Sequence, residues 1–326
     1  MGDSSVHLAG YASTGYQSQH TRGSNFNLAQ FSPIFHYMYK DFVMLESEVE
    51  FEVEQGGGTG VTLEYLTIDL FLHDYLAVVT GKFLSPLGQF RQNYHPAWIN
   101  KLPSTPVGFG HDQAAPVSDL GFQLRGGFPG GGDVRFNYAL YVANGPRLEL
   151  TEAGDRIARI ESNGSTKGAD GNMVYGGRLA IVPFHRMEVG LSGVAGRISM
   201  STPEPNRGYS AFAVDFRYAY KDLDLRGEYI RQRVNHAATS AAPASFDIYA
   251  WYLQAAYKLP YKFEVVARYS DFHSPHKSEK QSQLALGLNY LFTSSVIGKI
   301  AYEANRARHT EFVNKDRYLI QLAFGF

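Results

Sequence analysis

Five glutamates stand at every second position, Glu46, Glu48, Glu50, Glu52 and Glu54, in the stretch FVMLESEVEFEVE from Phe42 to Glu54. Paired carboxylates can act as general acid and base only from two sides of a substrate, and residues two apart on an extended chain form a row instead. On a helix the five would scatter around the axis, so the period selects a strand. The alternate positions are Val43, Leu45, Val49, Phe51 and Val53, with Ser47 the one polar member. The acidic face must meet water, because a lone buried charge is costly. The apolar face must meet either a protein core or lipid. A second group with chemistry to offer is Arg91, His95 and Lys101, in a stretch rich in proline (Pro86, Pro96, Pro103, Pro106, Pro116). Cations gathered at a narrow passage favour anions.

Other constellations carry less. Gly56-Gly57-Gly58 and Gly130-Gly131-Gly132 have no helix after them and read as turns, not phosphate cradles. The 11 histidines show no ligand spacing, so no metal or other cofactor is expected; His273 and His276 share a loop and form the nearest approach to a metal pair. No serine is placed beside a histidine as nucleophile and base, and no enzyme is expected. Cysteine is absent, which excludes disulfides and thiolate chemistry. A net charge of -1 gives no reason to expect nucleic acid as a partner.

The elements that must position these residues follow from hydropathy. No run of about 18 apolar residues exists, so no membrane helix is expected. A mean hydropathy of -0.25 does not make the chain soluble, since a lipid-facing barrel alternates apolar and polar residues. Met1-Gly2 ahead of Asp3 reads as an added start, with any export signal already removed. Period-two patterning predicts about sixteen strands, at 5–18, 26–39, 42–54, 61–73, 75–83, 119–127, 133–143, 172–182, 186–198, 209–220, 223–234, 246–258, 261–272, 281–292, 295–307 and 316–326. Most are long enough to cross a bilayer at a tilt. Their connections alternate between short turns and longer loops, which a soluble sandwich has no reason to do. The expected fold is therefore an all-β, transmembrane antiparallel barrel over 1–326, with long extracellular loops and short periplasmic turns.

The outward faces suit lipid: Val134, Phe136, Tyr138, Leu140 and Val142; Phe212, Val214, Phe216, Tyr218 and Tyr220; Leu284, Leu286, Leu288, Tyr290 and Phe292. Several end in aromatics, as a girdle at the membrane interface requires. The opposite parity points Arg125, Arg135, Arg178, Arg217, Arg226, Lys262, Arg268 and Lys299 inward, among Glu188, Asp215, Glu228, Glu264 and Glu303. Opposed to the glutamate row, this wall would set a field across the lumen and orient dipolar solutes.

The last strand, Tyr318, Ile320, Leu322, Phe324, Phe326, resembles the C-terminal insertion signal of bacterial outer-membrane barrels. Gly81-Lys82-Phe83 followed by Ser85-Pro86-Leu87-Gly88, together with Tyr138–Gly145 (YALYVANG), resembles the phosphate-selective porin O and P family. That resemblance implies a sixteen-stranded, trimeric outer-membrane channel in membrane lipid for small anionic or polar solutes, selective through stacked arginines and constriction lysines. The loop 84–118 is the third long one, and in general porins the third loop folds inward and sets the pore size. A continuous arginine ladder is not evident here, and the glutamate row is unhelpful to phosphate. The expectation is thus a passive channel with anion preference set by Arg91 and Lys101. Its rivals are an occluded receptor or adhesin barrel and an outer-membrane hydrolase.

Overall fold

The computed structural model describes residues 4–19, 23–54, 56–166, 171–198, 204–275, 280–307 and 316–326. Its strands are β1 (Ser4–Gln19), β2 (Gly23–Tyr39), β3 (Val43–Val53), β4 (Thr59–His73), β5 (Leu76–Leu84), β6 (Ser118–Gly131), β7 (Val134–Asn144), β8 (Arg147–Leu150), β9 (Ile157–Glu161), β10 (Met173–Phe184), β11 (Met187–Ile198), β12 (Arg207–Tyr220), β13 (Leu223–Val234), β14 (Phe246–Lys258), β15 (Phe263–His273), β16 (Gln281–Leu291), β17 (Val296–Ala307) and β18 (Arg317–Gly325). Sixteen of them close into one antiparallel barrel, each paired with its neighbours in sequence, while β8 and β9 form a separate two-stranded sheet and β7 pairs with β10 across it. Each of the sixteen overlaps a strand expected from hydropathy. Among the described residues, no helix is long and apolar enough to cross a membrane.

The turns and the seam have local causes. Lys40 and Asp41 both take φ of 51° between β2 and β3, the doubly left-handed two-residue turn whose twist suits a hairpin. The barrel closes where β1 pairs with β18 from Tyr11 opposite Gly325 to Gln19 opposite Arg317. Gly10 and Phe326 then exchange both backbone hydrogen bonds at 3.0 Å. At Gly10, with φ of +149°, a Cβ would lie 2.5 Å from the Ser32 carbonyl oxygen and 2.9 Å from the Phe326 ring, so the seam needs glycine there.

Alternation sorts the two faces. On β18 Tyr318, Ile320, Leu322 and Phe324 are at least 43% exposed, whereas Leu319, Gln321 and Ala323 are buried. Leu140, Phe212, Leu284, Leu286 and Leu288 likewise lie on the outer face. The inner face departs from the expected aqueous wall. Towards the long-loop end, β10–β15 turn Val174, Val194, Ile198, Tyr209, Val234, Phe246, Ile248 and Phe272 inward, into a dry cluster completed by loop residues. Part of this lumen is therefore a protein core.

Candidate functional site

What fills that half is the connection between β5 and β6. The chain from Ser85 to Val117 folds into the barrel and buries Leu87, Phe90, Phe109, Ala114 and Ala115 in the cluster. Phe90, Phe109 and Tyr252 meet edge to face, with ring centroids 5.1–5.9 Å apart. Polar groups lash the loop to the far wall. Glu228 accepts from the backbone N–H groups of Gln89 and Phe90 at 3.0 and 2.8 Å, and Ser192 accepts from Gly88 N–H at 3.1 Å. Arg268 donates to the Ser104 and Thr105 carbonyls, Asn289 to the Lys101 carbonyl, and Lys299 to the Ala97 carbonyl. The β8–β9 hairpin, absent from the sequence expectation, seals the loop from above: Leu148, Ile157 and Ile160 join the cluster, and Arg159 lies 3.5 Å from Asp112.

Gly88 is where this lashing is least tolerant. Its φ is +81°, and a Cβ would sit 1.8 Å from the Glu228 carboxylate. Gly88→Ala is expected to break the clamp and lower stability by ~2–4 kcal/mol through backbone strain and lost charge-assisted hydrogen bonds. A matching drop in the detergent unfolding midpoint, with scattered single-channel conductances, would register it; a wild-type midpoint would show the clamp to be unimportant.

The loop also reaches the acidic wall. Glu46 lies 3.3 Å from His36, and Gln30 donates to Glu50. Glu48 accepts from the Tyr11 hydroxyl at 2.7 Å and faces His95 Nε2 at 3.8 Å, while His111 Nε2 lies 3.6 Å from Glu64. Glu52 and Glu54 are exposed at the long-loop end of β3. The expectation that the whole glutamate row is wet fails at Glu48, which is 1% exposed because Tyr11 and His95 cover it. A bulge in β4 opposite Glu48 and Val49 shifts the register, so both Glu64 and Tyr65 are buried.

The expected basic loop is also altered. Lys101 pairs with Glu264 at 2.9 Å, so its charge is compensated. Arg91 is 5% exposed; burial pulls its pKa down, against the opposing influence of Glu64 and Glu50. Its Nε and Nη2 have no hydrogen-bond acceptor among the described residues. His95 Nδ1 contacts the Arg91 carbonyl.

The wall arginines are mostly paired. Arg125 meets Asp69; Arg178 meets Asp215 at 2.6 Å and Glu188 at 2.9 Å; Arg217 and Arg226 share Asp224. Arg226 also lies over the Tyr94 ring, 4.3 Å from its centroid. Arg268 is consumed by the loop lashing, and Arg135 is exposed at the short-turn end of β7. Lys262 is not on the wall at all: it sits in the β14–β15 turn and donates to the Phe292 carbonyl. His276, one of the two histidines that come nearest to a metal pair in the sequence, lies outside the described residues; His273 stacks on Tyr249. Beneath the loop, towards the short turns, a cavity of about 700 Å³ opens between the acidic wall and Gln123, Arg125 and Arg178.

A closed sixteen-stranded barrel crossed by its third long loop is the architecture of a diffusion channel. Residues 1–310 match the family model described as Gram-negative porin. The chain belongs to the Gram-negative porin family. It is a passive channel of the bacterial outer membrane. No curated protein sequence matches this porin significantly. An anion-selective porin from Comamonas acidovorans is similar in structure, with a TM-score of 0.66 at 14% identity, covering 99% of this chain and 100% of that one. The outer-membrane channel DcaP of Acinetobacter baumannii gives 0.66 at 10% identity over 99% and 98%. The trimer form of OmpT, an outer-membrane protein of Vibrio cholerae, gives 0.59 at 12% identity over 99% and 100%. At such identities the likeness carries the fold alone.

Proposed function

We propose that this porin passes small hydrophilic solutes, as a homotrimer, through the gap between the 85–117 loop and the glutamate wall, and that this gap favours cations. The carrying observation is that Glu46 and Glu50 stay half-buried on the acidic wall facing the loop, while Lys101 is neutralised by Glu264. Fixed carboxylates at a constriction raise the local cation concentration. The anion preference expected from the sequence is the second reading. It is supported by the unpartnered guanidinium nitrogens of Arg91, and phosphate selectivity of the porin O and P kind would be its strongest form. Channel function is favoured over an outer-membrane hydrolase because the polar groups around the loop are engaged in holding it. The trimer is supported by the trimer form of OmpT.

Planar-bilayer recording across a KCl gradient decides among these readings. A reversal potential of the sign for potassium supports the conclusion, and the opposite sign selects the anion reading. A membrane without ohmic steps would mean an occluded barrel. Light scattering in detergent should return three times the 36.3 kDa chain mass for the protein component, and a single chain mass would remove the trimer.

A further inference from the structure

One sector of the outer wall carries charge where lipid-facing parity calls for apolar side chains. On β13 that parity runs through Tyr229, Arg231 and Arg233, and on β11 through Leu191, Gly193, Ala195 and Arg197. Neighbouring aromatics fix the depth of these arginines. Trp251 lies opposite Tyr229 and 5.3 Å from the Tyr269 ring, and Tyr249 lies opposite Arg231. Tyrosine and tryptophan settle at the boundary between hydrocarbon and headgroups. Arg233 and Arg197 stand one and two rows beyond Tyr249 towards the long loops, at headgroup depth.

Arg197 and Arg233 are exposed, and neither has an ion-pair or hydrogen-bond partner among the described residues. The carboxylates on adjoining elements are engaged: Asp247 pairs with Arg231 at 3.2 Å, and Glu204 accepts from Ala241 N–H at 3.0 Å. Between the two unpaired arginines lie Gly208, opposite Arg197, and the exposed Ser210, opposite Arg233. A Cβ on Gly208 would sit 2.6 Å from Asn235 Nδ2, so glycine lets that amide lie across β12. The arginine backbones are thus two strands and two residues apart, about 12 Å at ordinary spacing and rise, and both side chains can turn onto one anion. Below them β11 is low. Ala195 and Gly193 lie beside the exposed Tyr175 and Phe212, and a Cβ on Gly193 would meet only the Ala211 carbonyl oxygen, at 3.7 Å. A depression one strand wide therefore leads from the donors into the hydrocarbon zone.

We propose that this patch docks a membrane lipid with a phosphomonoester headgroup, its phosphate between Arg197 and Arg233 and one acyl chain in the depression along β11. Charge complementarity selects the occupant. Guanidinium forks match phosphate oxygens, and a phosphate supplies the acceptors that Arg197, Asn235 and Arg233 lack within the chain. A zwitterionic headgroup would bring a third cation to a patch that already holds two. Free phosphate would leave the apolar depression unused. The site lies on the outside of the barrel, so it is independent of the solute path and of its selectivity.

Native mass spectrometry of the detergent-purified porin tests this, with dimyristoyl phosphatidic acid, dimyristoyl phosphatidylcholine and inorganic phosphate as probes. The wild type is expected to hold phosphatidic acid about tenfold or more tightly than phosphatidylcholine, and inorganic phosphate should displace it poorly. Arg197→Gln/Arg233→Gln should bring phosphatidic acid down to the phosphatidylcholine level. Ala195→Trp, which fills the depression, should weaken it with both arginines in place. Arg135→Gln, which removes an exposed charge at the short-turn end, should leave the preference unchanged. Equal retention of the two lipids by the wild type overturns the proposal whether or not the variants fold. So does a preference that survives the double substitution, or one lost equally in Arg135→Gln, which would make it an effect of overall charge. Displacement by inorganic phosphate would leave an anion site with no lipid component. A double variant that keeps its β-sheet circular dichroism but falls apart into single chains would give this face to a second copy instead.

Discussion

Replacing residues 88–114 by a short Gly-Ser linker is expected to raise the single-channel KCl conductance about threefold or more. Sixteen strands at ~4.8 Å spacing and ~40° tilt enclose a backbone radius of ~16 Å, which side chains reduce to an inner area on the order of 300 Å². The loop leaves far less. Its histidines approach Glu48 and Glu64 to 3.8 and 3.6 Å on one wall, while Glu228, Glu264 and Arg268 hold it on the other. Those anchoring side chains lie on the strands, so removing the loop hydrates them and leaves barrel pairing intact. The β8–β9 hairpin loses its partner at Asp112 and its share of the apolar cluster, which should enlarge the opening further. Liposome swelling with sugars of increasing size offers an independent reading, with the size cut-off moving upward. An unchanged conductance would place the narrowest point at the hairpin instead.

The barrel was legible because each strand repeats the same local signal. Tyr318, Ile320, Leu322 and Phe324 alternate with smaller or polar residues, and nothing distant is needed to read them as a lipid-facing edge. The hairpin was not legible: Arg147–Leu150 and Ile157–Glu161 are too short, and their apolar positions too few, for a period to register. The state of the site was hidden for a different reason. Glu228 meets Gln89 across 139 residues, and Lys101 meets Glu264 across 163, so charge counting along the chain could not tell a free cation from a neutralised one. Tyr11 escaped notice as a neighbour of Glu48 because the two meet across β2, 37 residues apart, in a register that hydropathy alone does not set. The inner faces of β10–β15 carried a usable signal. Ile198, Val234, Phe246, Ile248 and Phe272 are apolar at inward parity, which an aqueous wall would not require.

Neutralising the wall is expected to have the second large effect. In Glu46→Gln/Glu50→Gln the potassium-over-chloride permeability ratio should fall about fivefold, the size expected when two charges are removed from a confined low-dielectric passage. Glu48 is left intact in this variant because it is buried and bonded to Tyr11, so its loss would mix packing with charge. Glutamine can keep the contact from Glu46 to His36 and the one from Gln30 to Glu50 while removing only the charge. The opposite substitution separates the two selectivity readings. Arg91→Ala removes the one loop cation that no carboxylate bonds, and should move the reversal potential further toward potassium. Lys101→Ala should shift it toward potassium as well, since it leaves the Glu264 carboxylate uncompensated, and should in addition cost stability by stranding a buried charge. A reversal potential indifferent to Glu46 and Glu50 but shifted by Arg91 would assign selectivity to the loop and defeat the acidic-wall reading.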